Sequence, residues 1–135
     1  MNFELHPKLN EDTIFIHDFS LSRLLLIKDA NFKWFVLVPR VDGLREIIDL
    51  NEEERILLFR EICKISEFLK QSYSPYKLNI AAIGNIVEQL HIHIILRYKD
   101  DPLYPNPVWR NNLPKKEYTN SEIELIISSI KQRFA

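Results

Sequence analysis

The run Val87-Glu88-Gln89-Leu90-His91-Ile92-His93-Ile94-Ile95-Leu96-Arg97 sets two histidines and a glutamine at alternate positions of a stretch otherwise made mostly of Leu, Ile and Val. Side chains of a strand alternate between its faces, so Gln89, His91 and His93 are expected to point one way and Leu90, Ile92 and Ile94 the other. Neighbours on one face lie roughly 6 to 7 Å apart, which suits two groups that grip one phosphate or one metal ion. A strand histidine taken alone is more often structural, and His6 and His17 are read that way. Two imidazoles and an amide on one face would be costly to bury without partners, so the run implies an open pocket or a bound ligand.

Two chemistries fit the pair. In the first, a neutral imidazole attacks phosphorus and forms a phosphoramidate that water then opens, while the second ring donates a hydrogen bond or a proton. Backbone N–H groups around Gly84 and Asn85 would support the same anion. In the second, the His-x-His pair supplies two metal ligands and a third comes from a carboxylate, His6 or His17. With only two glycines in the chain there is neither a dinucleotide fingerprint nor a Walker loop.

Composition limits the rest. A chain of 135 residues, 46% of them hydrophobic, can bury the core of one domain, so residues 1–135 are read as a single unit. The 18 basic and 19 acidic residues nearly cancel, which gives no global field for nucleic acid or an anionic membrane. No apolar stretch approaches the length of a membrane span, and a cytoplasmic protein is the expectation. The single cysteine, Cys63, excludes a disulfide framework and a cysteine-based zinc site.

Working outward, Thr13–Ile16, Leu24–Ile27 and Trp34–Val38 read as three short strands of an antiparallel meander, the third closed by Pro39. Asn51 and Glu54 form a capping box that starts a long helix running to about Gln71. Ile56, Phe59, Ile62, Cys63, Phe68 and Leu69 are read as its buried stripe, with Arg55, Arg60, Glu61, Lys64 and Glu67 left to water. Lys77–Ala82 reads as a further strand. Asp100 to Pro114 is an irregular proline-rich loop whose Tyr104 and Trp109 need cover from the domain, a partner or a ligand. Thr119 and Glu122 form a second capping box that opens a terminal helix through Ile123, Ile126, Ile127 and Ile130. Trp34 and Trp109 are read as core or interface anchors.

Gly84-Asn85-Ile86-Val87-Glu88-Gln89-Leu90-His91-Ile92-His93 resembles the Gly-Gln-x-Val-x-His-x-His-x-His signature of the histidine triad (HIT) family of nucleotide hydrolases and transferases. Gln89 stands where the first histidine would be and Asn85 where a glutamine is usual. Trp34-Phe35-Val36-Leu37-Val38-Pro39-Arg40 is similar to the family's strand ending in Pro-Lys or Pro-Arg, with Trp34 at a place where many members carry histidine. The resemblance implies an α+β fold, an antiparallel sheet with a long central helix and a C-terminal helix, paired into a homodimer with a continuous sheet. By position it makes His91 the nucleophile and His93 a phosphate ligand that assists leaving-group protonation. Asn85 and Gly84 fall at the phosphate and Asp29 at the ribose. An amide at Gln89 cannot carry a proton near neutral pH, so any proton-handling duty of that place is lost.

The expected activity is hydrolysis of a phosphoanhydride or phosphoramidate bond in a nucleoside substrate, with diadenosine polyphosphate the leading guess. No cofactor is required, although a divalent cation can accompany a polyphosphate. The alternatives are nucleotidyl transfer to an acceptor other than water, a nucleotide-binding dimer without turnover, and a metal-dependent hydrolase built on the His-x-His pair.

Overall fold

The computed structural model describes residues 3–109 and 112–135. In chain order the elements are α1 (Pro7–Asp12), β1 (Thr13–Asp18), β2 (Ser22–Ile27), β3 (Lys33–Pro39), a 3₁₀ turn (Ile47–Asp49), α2 (Glu52–Tyr73), β4 (Lys77–Ala81), β5 (Ile92–Arg97) and α3 (Asn120–Phe134). The five strands form one antiparallel sheet in the order β1-β2-β3-β5-β4. This is the α+β arrangement expected from the sequence. Both capping boxes are formed: the Asn51 side chain accepts the Glu54 N–H, the Glu54 carboxylate accepts the Asn51 N–H, and Thr119 and Glu122 repeat the exchange. No helix among the described residues is long and apolar enough to cross a membrane.

One face of the sheet carries the main core. Leu24, Leu26, Phe35, Leu37, Ile92, Ile94 and Leu96 lie in one cluster with Leu58, Ile65 and Leu69 of α2 and Ile126 and Ile130 of α3. Burying each such side chain contributes roughly 1.5–3 kcal/mol before entropy is counted. The buried stripe of α2 is therefore Leu58, Glu61, Ile65 and Leu69, and the expected stripe is corrected: Ile56, Phe59 and Cys63 are exposed, with Ile62 and Phe68 at the margin. The helix carries apolar residues around much of its circumference, so two stripes at helical spacing compete. The one with a charge at its centre wins. Glu61 is buried because its carboxylate accepts the N–H groups of Leu21 and Ser22 at 2.8 and 2.9 Å, closing the β1–β2 connection.

The opposite face is closed by the N-terminal segment with the short helix α1 and by the loop after β5. Phe3, Leu5 and Leu9 pack with Leu25, Val36, Val38 and Val87. Leu103, Val108, Trp109 and Leu113 of the proline-rich loop cover Phe32 and Ile95. That loop is fixed from below by Arg97, whose buried guanidinium meets Asp101 at 2.8 Å and also donates to the Asn79 side chain and the Asn106 carbonyl. Asp101 in turn accepts from the N–H groups of Tyr98, Leu103 and Tyr104. Tyr104 finds its cover against Tyr76, ring centroids 5.8 Å apart. Arg110 and Asn111 of the expected loop, like Met1 and Asn2, lie outside the described residues.

Candidate active site

The histidine run is only partly a strand. β5 begins at Ile92, so Gln89 and His91 lie in the irregular approach to it, which corrects the reading of one continuous strand from Val87. The Leu90 N–H bonds to the Leu44 carbonyl outside the sheet, so no ladder partner continues the strand backward. Alternation nevertheless survives at the end that matters. Leu90, Ile92 and Ile94 enter the main core, while the rings of His91 and His93 meet edge to face on the other side with centroids 4.8 Å apart.

His91 is oriented by one bond. Its Nδ1 lies 2.6 Å from the Gln89 carbonyl oxygen. A carbonyl only accepts, so Nδ1 carries a proton, and in the neutral ring the lone pair is on Nε2. No hydrogen-bond partner for Nε2 is found among the described residues. The ring lines a cleft of about 690 Å³ together with Arg45, Ile47, Ile48, Gly84, Asn85, Glu88 and Gln89. Gly84 allows the close approach of that wall: a Cβ there would sit 2.6 Å from the Val87 carbonyl oxygen and 3.4 Å from Cε1 of His91. Arg45, which the sequence did not single out, lines the same cleft and pairs with Glu88 at 3.4 Å on the exposed rim.

His93 has both ring nitrogens engaged. The Trp34 indole Nε1–H donates to Nδ1 at 3.0 Å, and Nε2 lies 3.2 Å from the Ile83 carbonyl oxygen. The ring is packed between Trp34 and Trp109, with centroids at 5.6 and 5.1 Å. Burial, reinforced by the neighbouring His91, lowers its pKa to about 4. Trp34 and Trp109 are thus anchors, as expected, but anchors that bear directly on a site histidine.

Gln89 also lines the cleft, yet its amide is committed to the N-terminal segment. Its Oε1 accepts the His6 N–H at 2.8 Å and its Nε2 donates to the Glu4 carbonyl at 2.9 Å. His6 in turn caps α1, its Nδ1 accepting the Lys8 N–H ahead of Pro7 at the first helical position. Asp29 is not brought to the cleft. Its Oδ1 accepts from the Asn31 backbone and side chain and from the Lys116 N–H, so it fastens the β2–β3 turn to the segment before α3. Among the described residues no group of three or more His, Cys, Asp or Glu is placed to hold a metal ion, and neither nitrogen of His93 is free to serve as a ligand.

Solved structures of histidine triad proteins share this fold. A histidine triad protein from Bradyrhizobium japonicum is 44% identical, covers 98% of each chain and superposes with a TM-score of 0.94. One from Marinobacter aquaeolei VT8 is 37% identical over 98% of each chain, TM-score 0.91. One from Sinorhizobium meliloti 1021 is 32% identical over 96% of each chain, TM-score 0.91. No curated protein matches the chain. The HIT domain model matches residues 8–100, and with a cleft histidine held at Nδ1 beside a second imidazole, the chain belongs to the HIT family.

Proposed function

We propose that this chain is a nucleotide hydrolase in which His91 is the nucleophile. The observation that carries the reading is the bond from His91 Nδ1–H to the Gln89 carbonyl, which leaves the Nε2 lone pair on a ring lining the cleft. Nε2 attacks the phosphorus attached to the nucleoside, and the P–O bond to the leaving group breaks with its electron pair going to that oxygen. Water then attacks the same phosphorus, the P–N pair returns to Nε2, and the proton that the water loses passes to bulk solvent. Arg45 and backbone N–H groups near Gly84 and Asn85 stabilise the phosphoryl oxygens. The covalent step uses no metal, and a divalent cation accompanies a polyphosphate substrate only to neutralise its charge. Diadenosine polyphosphate is the first substrate to try.

Pairing into a homodimer belongs to the same reading. Strand β4 is a sheet edge, and Ile48, Ile56, Phe59, Ile80, Ile83 and Ile86 are large apolar side chains left exposed. A second reading, nucleotide binding without turnover, is favoured by one observation: the Gln89 amide is tied to Glu4 and His6 rather than presented to a ligand. Hydrolysis of diadenosine tetraphosphate by metal-stripped wild type and His91→Ala separates the two. The proposal expects turnover that falls at least about a thousand-fold in the variant. Nucleotide binding with no turnover by wild type would favour the second.

A further inference from the structure

The partners of His93 carry a consequence for the substrate, and it rests on the reading of His91 as nucleophile. An indole N–H can only donate, so the His93 Nδ1 that it meets at 3.0 Å must offer a lone pair. The single ring proton of neutral His93 then sits on Nε2, where the Ile83 carbonyl accepts it. An imidazolium would place an Nδ1–H against the indole N–H, two donors facing each other in a buried space. The groups facing the ring are Trp34 from β3, Trp109 from the loop, the Ile83 carbonyl from the segment after β4, and His91, which is the one ionisable group among them. A histidine at position 34 could accept or donate. A tryptophan imposes one direction.

We infer that Trp34 is a positioning residue that locks His93 as its neutral Nε2–H tautomer, and that the site therefore takes substrates whose leaving group departs as an anion. Two positions flank His91 in the run, Gln89 and His93. The first is an amide bonded to the N-terminal segment and the second is locked, so neither passes a proton to a departing atom. In a phosphoanhydride the leaving oxygen takes the P–O pair and departs as a stable phosphate anion. In a phosphoramidate the leaving nitrogen takes the P–N pair and must gain a proton to depart as an amine. The substrate class is the nucleotide anhydride.

The lock is read by two-bond 1H–15N correlation spectra of histidine-labelled protein between pH 5 and 8, which need no turnover. The expected wild-type pattern is an unprotonated Nδ1 and a protonated Nε2 on His93, unchanged across the range, with the pattern released in Trp34→Phe. His93 titrating within that range in wild type, or an unaltered His93 pattern in Trp34→Phe, overturns the lock. The substrate class is read by kcat/KM for diadenosine tetraphosphate against adenosine 5′-phosphoramidate. Wild type should favour the anhydride, and a variant with His93 released should shift the ratio at least tenfold toward the phosphoramidate, most at the acid end of the pH profile. A released His93 with an unmoved ratio overturns the substrate class. If Trp34→Phe does not fold, the wild-type spectrum and ratio still decide. Absence of turnover on both probes would instead sink the hydrolase reading, with the spectrum still reporting on the tautomer.

Discussion

On one face of the sheet, Leu58, Ile65 and Leu69 of α2 and Ile126 and Ile130 of α3 close over the apolar residues of the strands. On the other, residues 3–9 and the loop after β5 close over Val36, Val38, Phe32 and Ile95. The first face is held by helices whose side chains repeat at a regular spacing. The second is held by single bonds across long stretches of chain: Gln89 to Glu4 and His6, Asp29 to Lys116, Trp34 to His93. The His91 and His93 rings lie on the second face, and the cleft that His91 lines is walled by the connections around residues 45–48 and 82–91.

The largest effect should come from the helical face. Ile65→Ala removes a fully buried side chain facing the strands and should cost about 2–5 kcal/mol in urea unfolding, with the His91–His93 geometry kept. A smaller loss, with the site disordered instead, would mean that the two faces do not divide the work in this way.

The site face should reveal itself through pH. His93 is held near a pKa of about 4, below its ordinary 6.5, so the unfolded chain binds more protons between those values. Stability from this group is fully present above about pH 6.5 and is lost as pH falls toward 4, amounting to about 3 kcal/mol at roughly 1.4 kcal/mol per unit. Unfolding curves of wild type and His93→Gln from pH 7 to 4 should diverge by that amount. Parallel curves would remove His93 from the account of acid sensitivity.

Glu61 sharpens the comparison from inside the helical face. Glu61→Gln turns one acceptor into a donor against the N–H groups of Leu21 and Ser22, and about 1–3 kcal/mol should be lost. An unchanged midpoint would show that the buried carboxylate is dispensable. The smallest effect is expected at the clasp. Gln89→Ala should cost about 1 kcal/mol and be seen chiefly as faster hydrogen exchange at the His6 amide, with exchange in α2 unaltered. Faster exchange throughout would mean that the segment stabilises the whole sheet.

The same division explains what could be read from the chain. Strands β1 to β4 and the capping boxes at Asn51 and Thr119 are local patterns, and they stand where the pattern puts them. The stripe of α2 is misread because Glu61 looks like a solvent residue until Leu21 and Ser22, forty residues earlier in the chain, are placed beside it. α1 is missed although Pro7 after His6 is a start signal. His91, His93, Gly84 and Asn85 are legible as a group because they share one short run. The links from Gln89 to the N-terminal segment, Asp29 to Lys116 and Trp34 to His93 span 59 to 87 residues, and no local pattern encodes them.

The central claim is that the free nitrogen of His91 forms a covalent bond to phosphorus. Intact-mass measurement of wild type and His91→Ala after rapid mixing with diadenosine tetraphosphate and acid quench tests it most directly. The account predicts one nucleoside monophosphate added to wild type and none to the variant. Turnover by wild type with no adduct, matched by turnover in His91→Ala, would contradict it.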